Sequence, residues 1–183
     1  MAKIITITGD LGSGKSTVSK ILIDRLNYEY IYTGKIQREI AARHNMTTLE
    51  LNQYAETHRE IDDEIDAVFK SLHDAGDLIV DSRLAWFFIP KSFKVYLSTD
   101  ISVAAGRILT DTKRKSEKKF TSVEEAVMEI AARKASENKR YAELYGVDCA
   151  DLSNFDIVVD TTHKTPEEVA EIIINKYRLK TDD

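Results

Sequence analysis

The chain has 183 residues, 43% of them hydrophobic and 31% charged, with 7 Gly, 2 Pro and a single Cys. That length buries a substantial core, and the composition excludes a disordered chain, a collagen-like repeat and a disulfide scaffold. With 26 Lys+Arg against 31 Asp+Glu the formal net charge is -5, which argues against a basic nucleic-acid-binding surface.

Residues 3–8 (KIITIT) are short, β-branched and nearly all apolar, and read as a first strand. A Gly-rich turn follows, then a helix over about 15–26 and a short second strand over 28–32. From Lys35 to Leu72 the pattern is helical, with restarts marked by capping boxes at Thr47-x-x-Glu50 and Thr57-x-x-Glu60. In the last of these helices Ile61, Ile65, Val68 and Leu72 fall on one stripe. Residues 77–81 (DLIVD) read as a buried strand with a polar end, and 93–97 as another, leading into a helix near Asp100. A charged stretch over 110–120 precedes a long helix over about 122–145. The last strand spans 155–159, and Thr165-Pro166-Glu167-Glu168 opens the final helix with a capping box and Pro at the first helical position. Apolar strands alternating with helices predict an α/β fold, a parallel sheet covered on both faces.

The chain shows no internal repeat and no Pro/Gly/Ser-rich linker, so a single domain over 1–183 is expected. Cys149 has no intrachain partner, and His44, His58, His73 and His163 are not spaced to join it on a metal. The N-terminus lacks signal-peptide character, and no apolar run approaches the ~20 residues of a spanning helix. These features predict a cytoplasmic protein with no membrane partner.

Gly9-Asp10-Leu11-Gly12-Ser13-Gly14-Lys15-Ser16 matches the phosphate-loop pattern G-x-x-x-x-G-K-[ST], between a predicted strand and helix. Glycines at 9, 12 and 14 let backbone N–H groups curl around phosphate oxygens, and the helix N-terminus adds positive potential. Lys15 is placed to reach the β- and γ-phosphates and Ser16 to ligate Mg²⁺; Ser13 and Thr17 complete the predicted ATP-binding segment. A GTPase base-reading N-K-x-D is missing: Asn138-Lys139-Arg140-Tyr141 and Asn175-Lys176-Tyr177-Arg178 both lack the Asp. A short phosphate-loop chain with several downstream arginines fits a kinase of a small phosphorylated acceptor.

Beyond the loop, TGKIQREIA (33–41), EIDDEID (60–66), VDSRLAWF (80–87), ARKASENKRYAELYGVD (132–148) and DTTHKTPEEV (160–169) follow in order. With GDLGSGKST (9–17), this set resembles the cytidylate (CMP) kinases, in particular the archaeal-type, short-lid branch of the nucleoside monophosphate kinases. The resemblance runs over nearly the whole chain. It implies a three-layer P-loop NTPase fold with a five-stranded parallel sheet, an inserted acceptor-binding helical segment (about 33–75) and a lid (about 107–135). It implies phosphoryl transfer from ATP to CMP or dCMP with Mg²⁺, in a monomer.

Residue by residue, the resemblance places Gly34 and Arg38 in the acceptor-binding segment, assigns Arg38 and Arg83 to the acceptor phosphate, and Asp81 to Mg²⁺ through water. Arg133 and Arg140 match an arginine pair flanking an acid on the lid-side helix. Arg107 and Arg114 fall at the lid entry as donor-phosphate contacts, and Thr161 and Thr162 where the donor adenine packs. Asp62 and Asp66, at i and i+4, are candidates for the acceptor ribose or base, the alternative being an exposed acidic face. Trp86-Phe87-Phe88 reads as core beneath the acceptor cleft rather than a base-stacking platform. Arginine suits every phosphate role because its planar fork binds phosphate bidentately, and catalysis in phosphoryl transfer is mostly positioning and cationic stabilisation.

The chain departs from the family pattern at three places: Leu84 follows Arg83, Asp10-Leu11 replaces a Pro-rich pair, and Lys134 replaces an acid. Two other readings stay open at this stage, a P-loop kinase of a different nucleotide or a non-nucleotide acceptor, and a regulatory module that binds nucleotide without transferring phosphate. Charge is unevenly distributed: residues 1–38 carry +3 (6 basic, 3 acidic) and 106–145 +3 (10 basic, 7 acidic), whereas 39–81 carry -8 (3 basic, 11 acidic). The phosphate loop and lid thus lie in positive segments of an acidic chain, as a focused phosphate site requires.

Overall fold

The computed structural model describes residues 3–46, 48–55, 57–72, 75–110 and 120–181. Strands β1 (Ile4–Gly9), β2 (Glu29–Tyr32), β3 (Leu78–Asp81), β4 (Phe93–Ser98) and β5 (Ile157–Asp160) form one sheet in the order β2-β3-β1-β4-β5. Strands β2 and β3, β1 and β3, and β4 and β5 pair in parallel. All six residues of β1 are buried, which is why its sequence is almost continuously apolar instead of alternating. The helices are α1 (Lys15–Leu26), α2 (Thr33–Arg43), α3 (Thr48–Ala55), α4 (Arg59–Ser71), α5 (Ala85–Phe88), α6 (Ile101–Thr110), α7 (Val123–Tyr145) and α8 (Pro166–Thr181). The α/β class and the five parallel strands expected from the sequence are present.

Two compact units divide the chain, Met1–Thr8 with Ser19–Lys94 and Gly9–Val18 with Val95–Asp183. In the first, Ile5, Ile7, Leu22, Ile40, Leu51, Ile61, Phe69, Leu78 and Ile79 are fully buried, each contributing about 1.5–3 kcal/mol of apolar burial. The buried face of α4 runs through Ile61, Asp66 and Phe69 to Leu72, with Ile65 and Val68 only half covered. The predicted stripe is therefore rotated toward Phe69. The capping box at Thr57 does not form: His58 caps α4 without a side-chain bond. The Thr57 hydroxyl instead donates to the Tyr54 carbonyl (3.4 Å) and lies 2.9 Å from His58 Nδ1. Thr47, of the other predicted box, lies outside the described residues. The short helix α5, read from sequence only as a packing segment, buries Trp86 and Phe88 and leaves Phe87 exposed.

In the second unit Ala104, Ala105 and Ile108 of α6 pack with Ala126 and Ile130 of α7, and Leu11 of the glycine-rich loop joins them. Helix α7 opens on Ser122, whose hydroxyl accepts the Glu125 N–H (3.1 Å), while Thr121 N–H donates to the Glu125 carboxylate (2.9 Å). It ends at Gly146, left-handed at φ 67°, whose N–H bonds Ala142 O. The predicted box of α8 does form: Glu168 N–H donates to Thr165 Oγ1 (3.2 Å) and Thr165 N–H to the Glu168 carboxylate (2.7 Å). Among the described residues no helix is long and apolar enough to cross a membrane.

Candidate active site

In a parallel sheet ligands collect outside the carboxyl ends of the strands where the strand order reverses. The chain leaves β1 there into the loop Asp10–Gly14, and Asp10 N–H donates to Leu97 O at the end of β4 (2.9 Å). The approach explains Gly9: a Cβ at that position would stand 2.1 Å from Leu97 O. Gly12 has φ +78°, and a Cβ there would meet the Ala104 backbone at 2.9 Å, so the loop lies directly on α6. Lys15, at the start of α1, turns back to donate to Gly9 O (3.0 Å) and Asp10 O (2.8 Å). Its ammonium thus spans the loop. Ser13 Oγ is buried inside the loop without a hydrogen-bond partner among the described residues. An unpaired buried hydroxyl is costly, and a phosphate oxygen would satisfy it. Ser16 and Thr17 are exposed on the first turn of α1.

Arg107 of α6 ties the loop to the segment after β5. Its guanidinium donates to Gly12 O (3.3 Å), Thr161 Oγ1 (3.2 Å), Thr161 O (2.7 Å) and Thr162 O (3.3 Å). The structure therefore joins Arg107, Thr161 and Thr162, predicted separately for phosphate and adenine, into one bonded group beside the loop. Thr162 is fixed in turn by Asp160, which accepts from its N–H at 2.9 Å. Arg133 and Arg140 both lie on α7, with Arg133 donating to Glu137 between them (2.9 Å). Arg114 lies outside the described residues.

Asp10 supplies the carboxylate of the loop. It accepts from Lys134 Nζ (2.7 Å), Tyr96 Oη (2.9 Å) and Thr99 N–H (3.2 Å). Burial alone raises its pKa, but the Lys134 ammonium and the Tyr96 and Thr99 donors outweigh burial and hold it below the ordinary carboxylate value. Burial, then the charge of Asp10, pushes the Tyr96 hydroxyl up. It is a proton donor throughout the neutral range.

The other unit carries the predicted acceptor residues. Gly34 lies in the first turn of α2, and the Arg38 guanidinium sits one turn on, 5.2 Å from the Tyr32 ring centroid and bonded to the Tyr32 hydroxyl. A Cβ on Gly34 would touch both the Tyr32 ring (3.4 Å) and Arg38 Nη1 (3.5 Å). Asp81 ends β3 and accepts from Tyr30 Oη (3.2 Å); burial, then the neighbouring Asp81 charge, pushes the Tyr30 hydroxyl far above its ordinary value. Just beyond, Thr8 Oγ1 donates to Ser82 O (2.5 Å) and Arg83 O (3.1 Å), and Trp86 Nε1 donates to the same Arg83 carbonyl (3.0 Å). The Arg83 backbone is thereby pinned, with its side chain half-buried. Asp66 is only 5% exposed, which removes the exposed-face alternative for it; Asp62 is half-buried.

The sequence profile of the cytidylate kinase-like family matches residues 4–163. The chain belongs to that family. It is 38% identical to a cytidylate kinase of Sulfolobus acidocaldarius over 96% of this chain and 94% of that protein. It is 40% identical to the cytidylate kinase of Thermoplasma volcanium over 94% and 90%. Among solved structures, an uncharacterised protein of Eubacterium ventriosum superposes with a TM-score of 0.72 at 13% identity, covering 96% of this chain and 98% of that one. A shikimate kinase of Bacteroides thetaiotaomicron superposes at 0.62 and 13% identity over 99% of both chains. At such identities these structures speak to the fold alone, and the fold is one that the shikimate kinase shares.

Several positioning groups escaped the sequence reading. Thr8, Tyr30 and Tyr32 carry no motif; the pattern of β1 and β2 marks them only as strand residues. Asp10 and Lys134 were visible as departures from the family pattern, with nothing in the sequence to say that they meet.

Proposed function

We infer that the protein transfers the γ-phosphoryl group of ATP to CMP or dCMP, giving ADP and CDP or dCDP. The likeness to cytidylate kinases at 34–40% identity over more than nine-tenths of this chain carries this reading. The rival of a non-nucleotide acceptor is not favoured, since the chain's likeness to shikimate kinases and a gluconokinase is one of fold at 13–19% identity. Nor is a non-catalytic module, since Lys15, Ser16, Asp81 and the arginines are all intact.

In this reading Lys15 leaves the loop carbonyls for the β- and γ-phosphates, the loop N–H groups and Ser13 hold the triphosphate, and Arg107, Arg133 and Arg140 balance charge on the transferring group. Arg38 and Arg83 hold the acceptor phosphate, Gly34 lies in the same acceptor-binding segment, and Asp62 or Asp66 contacts the acceptor's ribose or base. Thr161 and Thr162 border the adenine. Among the described residues no group of three or more His, Cys, Asp or Glu side chains suits a metal. The hard oxygens of Ser16 and Asp81 fit Mg²⁺ that arrives with ATP and keeps most of its water. Bound there, it would offset charge on the β- and γ-phosphate oxygens. The segment 33–75 binds acceptor and 107–135 acts as lid, which would keep water from the γ-phosphate, in a cytoplasmic monomer.

The experiment is ADP release from ATP and Mg²⁺ against a panel of nucleoside monophosphates, shikimate and gluconate. Stimulation by CMP or dCMP above the other acceptors supports the reading. Stimulation by a non-nucleotide acceptor alone, or by none, refutes it.

A further inference from the structure

Residue 10 of the phosphate loop reaches the lid-side helix α7 directly, and residue 11 joins the apolar cluster through which α7 packs on α6. Asp10 binds Lys134 of α7 at 2.7 Å, across 124 positions of sequence. Leu11 packs into the cluster that Ala104, Ala105 and Ile108 of α6 build with Ala126 and Ile130 of α7. The contact needs both charges: a residue without a carboxylate at 10 would not accept from Lys134, and an acid at 134 would repel Asp10. The carboxylate is also held from the β4 side by Tyr96 and Thr99, and its side chain is only 15% exposed against 50% for Lys134. It is the fixed half of the pair.

The backbone of Asp10 extends the connection to the phosphate site. Its carbonyl accepts Lys15 Nζ at 2.8 Å, and its N–H bonds Leu97 O. The residue that Lys134 grips by its side chain is thus the one that holds the phosphate-binding lysine by its main chain. Arg133, one position before Lys134 on α7, turns to Glu137 of its own helix.

We propose that Asp10 anchors α7 to the phosphate loop, beside the apolar cluster that Leu11 joins, and that Lys134 is a positioning residue for the phosphoryl donor. By binding Asp10 it fixes the lid-side helix against the loop, and with it the placement of the groups that meet the triphosphate. The charge of Lys134 acts through Asp10, not on the nucleotide. Charge-assisted hydrogen bonds of this geometry are directional, and coupling between two groups in contact is measurable as non-additivity. The proposal rests on the reading that the loop holds ATP.

The test is a double-mutant cycle of Asp10→Asn and Lys134→Ala, with Lys134→Arg as the conservative variant. Affinity for a fluorescently labelled ATP is read by titration, and KM for ATP and CMP by steady-state kinetics. Lys134→Ala and Asp10→Asn are each expected to weaken labelled ATP by about tenfold and to leave KM for CMP within about twofold. The double variant should be no worse than the weaker-binding single, and Lys134→Arg should return to within about threefold of the parent. Thermal midpoints of all variants are compared, so that a binding loss tracking unfolding counts against the anchor. Unchanged labelled-ATP affinity in Lys134→Ala, equal shifts for both nucleotides, additive losses, or failure of Lys134→Arg to rescue would each overturn it. A parent protein that phosphorylates CMP while Lys134→Ala binds ATP normally overturns the anchor and leaves the proposed function standing. A parent protein that does not bind labelled ATP overturns both.

Discussion

Substituting alanine for Gly12 separates the loop's packing from its phosphate chemistry. A Cβ at Gly12 would lie 2.9 Å from the Cα, Cβ and O of Ala104, and the position has φ +78°. Gly14 has a similar φ, +85°, yet a Cβ there meets nothing within 4 Å. Holding an L-residue in the left-handed region costs about 1–2 kcal/mol, and this falls on both variants. Forcing a methyl group against packed backbone costs about a further 1–3 kcal/mol, and this falls on Gly12→Ala alone. The expected losses are therefore about 2–5 kcal/mol for Gly12→Ala and about 1–2 kcal/mol for Gly14→Ala. For a chain of this length each kcal/mol lowers Tm by about 2–4 °C. Urea unfolding of the two variants and the parent, with calorimetry for Tm, measures the gap directly. Equal destabilisation, or a larger loss in Gly14→Ala, would show that the loop does not lie on α6 and would refute the reasoning.

Lys15→Ala is expected to cut turnover by at least ~100-fold with the unfolding midpoint essentially kept; near-parental turnover would remove Lys15 from the phosphate site. Arg38→Ala should raise KM for CMP well above its effect on KM for ATP, and equal effects on both would count against its acceptor role. The Asp10–Lys134 pair predicts a sign for pH dependence. Asp10 is depressed below 3.8 in the folded chain, so its contribution is complete above that value and lost as pH falls through the folded pKa. For Lys134, burial lowers the pKa, but Asp10 more than compensates, leaving it above 10.5, so its contribution is complete below that value and lost as pH rises through the folded pKa. The stability gap between the parent and Asp10→Asn, read by urea unfolding, should be flat through the neutral range and close in strong acid. A gap that widens on acidification contradicts the pairing.

The loop was legible because its chemistry is local: eight consecutive residues, Gly9 to Ser16, specify the turn, the lysine and the hydroxyl. The strands were legible for a related reason, since burial on both faces leaves β1 almost wholly apolar. Long-range polar contacts were not. Asp10 and Lys134 meet across 124 positions of sequence, where α6 and α7 pack in one apolar cluster, and no periodicity encodes that. The failed capping box at Thr57 shows the converse error: the pattern is local, but the Thr57 hydroxyl is taken up by Tyr54 and His58. Phe69 was missed on α4 because a stripe drawn through Ile61, Ile65 and Val68 leans to one side of the helix, whereas the buried face passes through Asp66 and Phe69. A polar residue at the centre of a buried face masks the face in any apolar count. Arg107 is expected at phosphate from its place near the lid; its bonds to Gly12, Thr161 and Thr162 add a bracing role that no spacing rule announces.

Transfer of radiolabel from γ-labelled ATP to CMP tests the central claim most directly, because it follows the phosphoryl group itself. The account predicts labelled CDP formed in step with ADP, dependent on Mg²⁺ and abolished in Lys15→Ala. Label released only as inorganic phosphate, or appearing in no nucleoside diphosphate, would contradict it.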